Sequence, residues 1–204
     1  MTEVIKEKNP ESPAIAALMI NNGGVVIYPT ETLYGLGANA LSEISVRRVF
    51  VTKGRPYGKP IPLLVRDIEM FREVAIVTEQ ASKLIRSFLP GPLTLVLDEK
   101  INFPGLITAD TGKVAVRISN HPFVKQLFRY ISQPLTSTSA NISGGGNLYD
   151  IKGIYDAFNS KVDLIIDSGT LHPSKGSTVV DLTKSPPSII REGEISRELI
   201  EEFF

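Results

Sequence analysis

Cysteine is absent from this sequence. That one absence removes disulfides, thiolate metal sites and cysteine nucleophiles together, and it fits a reducing compartment. Histidine is nearly absent as well: His121 and His172 are the only two, so a histidine-rich metal cluster cannot be built, although a metal held by carboxylates or phosphates stays open. No apolar run approaches the length needed to span a bilayer, and the opening MTEVIKEKNPESP is charged and lacks the apolar region of a signal peptide. The expectation is a soluble, cytoplasmic protein with no membrane partner. Excess charge of either sign is also missing: Lys plus Arg and Asp plus Glu are 22 each. No global field draws the chain onto nucleic acid or an anionic membrane, so any anion site must be local.

What is present is enough apolar residue, 42% of 204, to bury a core, and the length favours one domain over 1–204. Ser12 as cap, Pro13 at the first helical position and the Gly23–Gly24 pair punctuate a helix over 12–23. Val25–Tyr28 reads as a short strand, and Pro29–Gly37 carries too many turn residues to continue it. Ser42 caps a second helix that Gly54 and Pro56 end, which places Lys53 and Arg55 at a helix end or in a loop, where removing either leaves the fold intact. Further strands are expected at Ile61–Val65, Leu93–Leu97, Val114–Ile118, Leu135–Ser137, Leu164–Asp167, Thr178–Leu182 and Ser188–Arg191. Helical spacing fits Asp67–Val74, Glu79–Phe88, Pro122–Ile131, Ile151–Phe158 and Ser196–Phe203. The order mixes βα alternation with consecutive strands, which implies an α/β fold with a mixed parallel and antiparallel sheet flanked by helices.

Four segments could carry chemistry. The first, Pro29–Gly37 (PTETLYGLG), crowds Thr30, Thr32, Tyr34 and Glu31 into a loop leaving a buried strand, where ligands commonly bind. A polar turn whose threonines bond their own backbone explains it equally well. Within it, Gly35–Ala40 matches a G-x-G-x-x-A dinucleotide pattern but starts seven residues after Tyr28, too late for that motif. The second, KGRPYGK, brings Lys53, Arg55 and Lys59 together among glycines and prolines. Arginine grips phosphate oxygens through two parallel bonds and lysine adds a compact charge, so a polyphosphate suits them; a solvated basic loop is the bland alternative. The third, PLTSTSANISGGGN (Pro134–Asn147), offers Ser137 and Ser139 two residues apart, then Asn141, beside glycines that expose N–H groups to an anion. The fourth, KGSTVVD from Lys175, has the lysine and glycine of a P-loop in the wrong order and a strand where a helix is required. Arg191, in IIREG, is either a ligand-facing cation or an exposed surface arginine. Neither histidine has a context that makes it a base for a serine nucleophile.

Taken in order, PTETLYGLG, KGRPYGK, VAVRISNHP, TSTSANISG, GSTVVD and IIREG resemble the threonylcarbamoyl-AMP synthase (YrdC-like) family across roughly residues 14–193. The resemblance implies a single twisted α/β domain around a basic cavity, with no second domain in this chain. It also implies condensation of L-threonine with bicarbonate, attack of the carbamate on the α-phosphate of ATP, and Mg2+ accompanying the nucleotide. The product would pass to a threonylcarbamoyl-transferring enzyme acting on tRNA. By match to the family's motifs, Thr32, Arg117, Ser137 and Ser177 would bind threonine. Arg55, Lys59, Lys113, Ser139, Asn147 and Arg191 would bind ATP, and Lys53, Arg55, Ser139 and Asn141 would form the catalytic quartet. Pro62 is a departure from the usual pattern, and longer relatives carry a further carboxy-terminal domain. Two other readings remain: a double-stranded RNA or tRNA-binding module, which neutral charge and the lack of stacking motifs weaken, and the carbamoyl-transfer domain of hydrogenase maturation, which sits among zinc modules that need cysteine.

Overall fold

The computed structural model describes residues 1–204. The first half of the chain forms β1 (Glu3–Lys6), α1 (Ser12–Asn21), β2 (Val26–Tyr28), β3 (Gly35–Gly37), α2 (Glu43–Lys53), β4 (Leu63–Leu64), α3 (Ile68–Val74), α4 (Glu79–Phe88) and β5 (Leu93–Asp98). The second half forms α5 (Gly105–Thr108), β6 (Lys113–Arg117), α6 (Pro122–Leu127), β7 (Leu135–Thr136), β8 (Thr138–Ser139), α7 (Ile151–Phe158), β9 (Leu164–Asp167), β10 (Thr178–Asp181), β11 (Ser188–Arg191) and α8 (Arg197–Glu201).

Helix starts follow side-chain chemistry. Ser42, Asp67, Thr78 and Asp150 each accept a bond from the N–H three residues on, satisfying a donor that the first turn leaves free. α2 ends as expected at Gly54, whose left-handed φ of 60° turns the chain sharply. The cap of α1 differs from expectation. Ser12 lies inside the helix, Glu11 is the cap residue without a side-chain bond, and the Ser12 hydroxyl donates to Glu7 O at 3.0 Å. The cause is β1, which the charged opening does not announce and which runs parallel to β9 along a sheet edge. It returns the chain so that the Glu7 carbonyl sits beside the helix entrance.

The mixed α/β class holds, but the strands divide into two sheets instead of one. Their orders are β1-β9-β2-β3-β8 and β11-β10-β5-β6-β4-β7, and both mix parallel with antiparallel pairs. One short segment joins them: β7 pairs with β4 in the second sheet, and two residues later β8 pairs with β3 in the first. Ser137 sits at that crossing, its N–H donated to Pro62 O at 2.6 Å. The strand expected over 61–65 shrinks to β4, since Pro60 and Pro62 have no N–H to give a ladder. A contiguous buried core runs through both sheets and the helices packed on them, and no helix is long and apolar enough to cross a membrane.

β3 forms from Gly-Leu-Gly, a sequence with poor strand propensity, because its glycines let the ring of Tyr28 lie flat over it. A Cβ at Gly37 would stand 2.4 Å from Tyr28 Cε1, and one at Gly35 would stand 3.1 Å from the ring. Tyr28 is fully buried, with its hydroxyl donating to Thr136 O at 3.3 Å. The glycines that imitate a dinucleotide motif therefore serve ring packing. Gly37→Ala is expected to lower the unfolding free energy by about 1–3 kcal/mol through overpacking, measured by urea denaturation; an unchanged midpoint at unchanged m-value would count against this packing role.

Candidate active site

Where the two sheets meet, loops enclose a cavity of about 480 Å³. Six cationic side chains line it, namely Lys53, Arg55, Lys59, Arg117, Lys175 and Arg191, with the hydroxyls of Thr30, Thr32, Ser137, Ser139 and Ser177 between them. No aspartate, glutamate or histidine is among the lining residues. The sequence separates these groups by more than 150 positions, and the sheet crossing at Ser137 brings them to one hollow.

The PTETL turn after β2 is fastened by Thr30. Its Oγ1 donates to Leu33 O at 2.6 Å and accepts from the N–H groups of Thr32 and Leu33 at 3.2 Å each. The turn sets Thr32 Oγ1 3.3 Å from Arg117 Nη1, at the end of β6. It also delivers Glu31 to Arg117, whose Nη2 donates to Glu31 Oε1 at 2.6 Å, while Ser119 Oγ donates to the other carboxylate oxygen. Arg117, expected as a free partner for a carboxylate ligand, is thus already half-neutralised. Its Nε is buried without a hydrogen-bond partner in the protein, and each Nη keeps a second N–H beyond the bonds to Thr32 and Glu31.

Lys53 departs furthest from expectation. It stands at the expected helix end, as the last residue of α2, but is buried instead of facing the cavity as a free cation. Its ammonium donates to Ser139 O at 2.6 Å, Asn141 O at 2.8 Å and Asn141 Oδ1 at 2.9 Å, which engages all three of its protons. Asn141 is equally occupied: Oδ1 also accepts from Ser139 Oγ at 2.6 Å, and Nδ2 donates to Ile142 O and Gly145 O at 3.0 and 3.1 Å. The Lys53 carbonyl takes the Ser143 N–H at 2.9 Å. Three members of the expected catalytic quartet are therefore bonded to one another, and they fix the shape of the loop over 139–145. Burial, with the charge of Arg55 second, pushes the Lys53 pKa down from its ordinary 10.5 to about 8.

Arg55 is held by its own loop, Nε donating to Lys59 O at 3.0 Å and Nη2 to Pro60 O at 2.6 Å, so Nη1 is the nitrogen without an assigned partner. Arg191 reaches across from β11 to Ser177, with Nε and Nη2 on Ser177 O at 3.1 and 2.7 Å and Nη2 on Ser177 Oγ at 3.1 Å. Burial lowers the pKa of both arginines, and for Arg191 the charge of Arg117 adds to the effect. Lys59 and Asn147 line the same cavity. Lys113 does not: it begins β6, four residues before Arg117, and its ammonium donates to Thr183 Oγ1 at 2.7 Å outside the hollow. A strand rises about 3.3 Å per residue, so the two ends of β6 serve different places.

Motif reading passes over Glu31 with Ser119, over Thr94, whose hydroxyl lies 2.8 Å from that of Ser177, and over the free ammonium of Lys175. Glu31 and Lys175 stand in segments that the sequence singles out, but a partner 86 positions away leaves no local signal.

The Sua5/YciO/YrdC family, described as "Telomere recombination", matches residues 18–193. A threonylcarbamoyl-AMP synthase from Pyrococcus abyssi is 40% identical over 189 residues, 92% of this chain and 56% of that protein. A putative threonylcarbamoyl-AMP synthase from Methanocaldococcus jannaschii is 40% identical over 176 residues, 86% of this chain and 83% of that one. Among solved structures, P. abyssi Sua5 complexed with L-threonine superposes with a TM-score of 0.92 at 38% identity, covering 100% of this chain and 60% of that one. The chain thus spans little more than half the length of its P. abyssi relative. With both sequence and fold matched over most of its length, this chain belongs to the Sua5/YciO/YrdC family.

Proposed function

We propose that this chain is an L-threonylcarbamoyladenylate synthase. Threonine's neutral amine and bicarbonate condense to a carbamate with loss of water. A carbamate oxygen then attacks the α-phosphorus of ATP, the bond from that phosphorus to the bridging oxygen breaks, and its electron pair leaves with pyrophosphate. The observation that carries the reading is the lining itself: one hollow of cations and hydroxyls, free of acids, suits reactants that are all anions. The likeness to a synthase, and to a relative solved with L-threonine, supports the same chemistry.

The residues divide by what their donors have left. Arg117, through the second N–H of its Nη groups, with Thr32, Ser137 and Ser177, would receive threonine, its carboxylate on the guanidinium. Arg55 Nη1, Lys59, Asn147 and Arg191 would hold the nucleotide and stabilise charge moving onto pyrophosphate, while Ser139, whose hydroxyl proton goes to Asn141, would meet it as a neighbour and not as a free donor. Lys53 and Asn141 touch no substrate in this scheme; they position Ser139 and the glycine loop. No protein nucleophile is needed, because carbamate attacks phosphorus directly once the two are held at short range.

Magnesium does not fit the side chains present. No group of three His, Asp or Glu residues converges anywhere, and none lines the cavity, so the donor set is wrong for a protein-held hard cation. The ion would enter on the phosphate oxygens of ATP, and no step here depends on a protein ligand to it. The product, a mixed anhydride, would be consumed by an enzyme that transfers threonylcarbamoyl to tRNA.

Purified protein given ATP, L-threonine and bicarbonate, with RNA absent, is expected to release pyrophosphate in a threonine- and bicarbonate-dependent way. RNA binding without such release would replace this reading with that of an RNA-binding module. Arg55→Ala is expected to reduce turnover by about 10²-fold with little change in melting temperature, since Arg55 bonds only its own loop; full activity would refute the placement of the phosphate site. Lys53 makes a separate prediction. Between pH 8 and about 10.5 the unfolded chain carries a proton on Lys53 that the folded chain has released, so this group raises stability as pH climbs. The difference in unfolding free energy between wild type and Lys53→Met should therefore grow in favour of wild type from pH 8 to 10, and a difference that is flat with pH would show that Lys53 titrates normally.

A further inference from the structure

We propose that Lys175, in the loop before β10, is a further anion-binding residue of the cavity and that its ammonium pairs with the polyphosphate oxygens of the nucleotide, a role motif reading gives to Lys53. The inference rests on ATP being the cavity's ligand.

Of the six lining cations, Lys53 has no proton left for a ligand, and Arg117 shares its charge with Glu31. Arg55 and Arg191 each give two nitrogens to protein oxygens. Lys59 and Lys175 are the two whose ammonium groups make no hydrogen bond or ion pair, and the motifs assigned only the first.

Lys175 is exposed, yet its mount is rigid. Its N–H donates to Glu194 Oε1 at 2.7 Å, and the same oxygen accepts from Ser174 Oγ at 2.7 Å. The next N–H, of Gly176, donates to Ser174 Oγ at 2.9 Å, and Gly176 O accepts from Glu194 N at 2.9 Å. Gly176 holds a φ of 82°, which only glycine adopts without strain, and so bends the chain between Lys175 and Ser177. A fixed backbone carries a side chain with all three donors unused, beside Arg191 and the Ser177 hydroxyl. Fixing the backbone removes the loop's share of the ordering cost of binding and leaves only the lysine side chain to be ordered. A second hollow of about 440 Å³, bordered by Tyr149, Ser174 and Glu194, shares Lys175 as a wall. Lys175 therefore stands between the two hollows, one of them the proposed catalytic cavity.

The test is direct binding of ATP and of tripolyphosphate by calorimetry, at fixed salt and without threonine, for wild type, Lys175→Ala, Lys175→Arg and the surface control Lys125→Ala. Losing one charged hydrogen bond should weaken both ligands about tenfold in Lys175→Ala, with Lys175→Arg restoring most of the affinity. Lys125→Ala should bind as wild type does, and the melting temperatures of all four should agree. Affinity for both ligands unchanged in Lys175→Ala, or reduced as much by Lys125→Ala, would overturn the assignment. Should the wild type bind tripolyphosphate in a Lys175-dependent way yet release no pyrophosphate with threonine and bicarbonate, the synthase reading fails and the assignment of Lys175 to an anion site stands.

Discussion

The geometry of the cavity depends on one ammonium group taken out of water at the end of a helix. Lys53 carries a full charge where almost no solvent reaches it, an arrangement that is unfavourable unless the charge meets several oxygens at once. Two carbonyls and an amide oxygen supply them. Those three acceptors belong to two residues of the 139–141 segment, so satisfying the lysine fixes the path of that segment. Asn141 extends the effect with bonds to Ile142 and Gly145. A run rich in glycine, which loses more freedom on folding than any other sequence, is thereby held in one shape before any ligand arrives.

The charge distribution follows the same logic. Six cations around one hollow repel each other, and the fold relieves that repulsion by engaging most of them with its own oxygens instead of mixing acids into the lining. Glu31 is the exception, and it stands behind Arg117 with its second oxygen bound by Ser119. Placed there it offsets the charge of Arg117, the guanidinium nearest Arg191 in electrostatic terms, and it leaves the cavity face free of carboxylate. Anions entering the hollow therefore meet donors that are already oriented. Reorganisation, which would otherwise oppose binding and reaction, is kept small.

Much of this was legible in the sequence, and the failures have physical causes. The helices over 68–74, 79–88 and 151–158 are announced by a capping residue and by apolar spacing, both local properties. The helix from Pro122 was expected to reach Ile131 but stops at Leu127, where Arg129 and Tyr130 turn to bonds with residues three positions back. Apolar spacing persists through such turns and cannot tell them from helix. β3 was unreadable because Tyr28, not the propensity of Gly-Leu-Gly, makes it a strand. For the site, the motifs found the segments and most of the lining residues, since a ligand loop must carry polar groups on a turn. They did not give the state of each donor. Whether an ammonium faces a ligand or a carbonyl is decided by residues about 90 positions away, so Lys53 and Lys175 could not be told apart, and Lys113 could not be placed outside.

Two polar atoms of the cavity wall show what such a site keeps in reserve. Arg117 Nε and Ser143 Oγ are buried, and neither has a partner in the protein. An orphaned buried polar group costs a fold about 1–3 kcal/mol, and folded proteins contain few of them. Both of these belong to residues lining the same hollow. Ser143 lies in the loop that Lys53 shapes, and Glu31 restrains the Arg117 guanidinium. Either one, turned toward a ligand oxygen, would recover a cost the folded chain already carries. That recovery would favour a ligand with acceptors over one of equal size without them, the same preference that the cations of the lining impose.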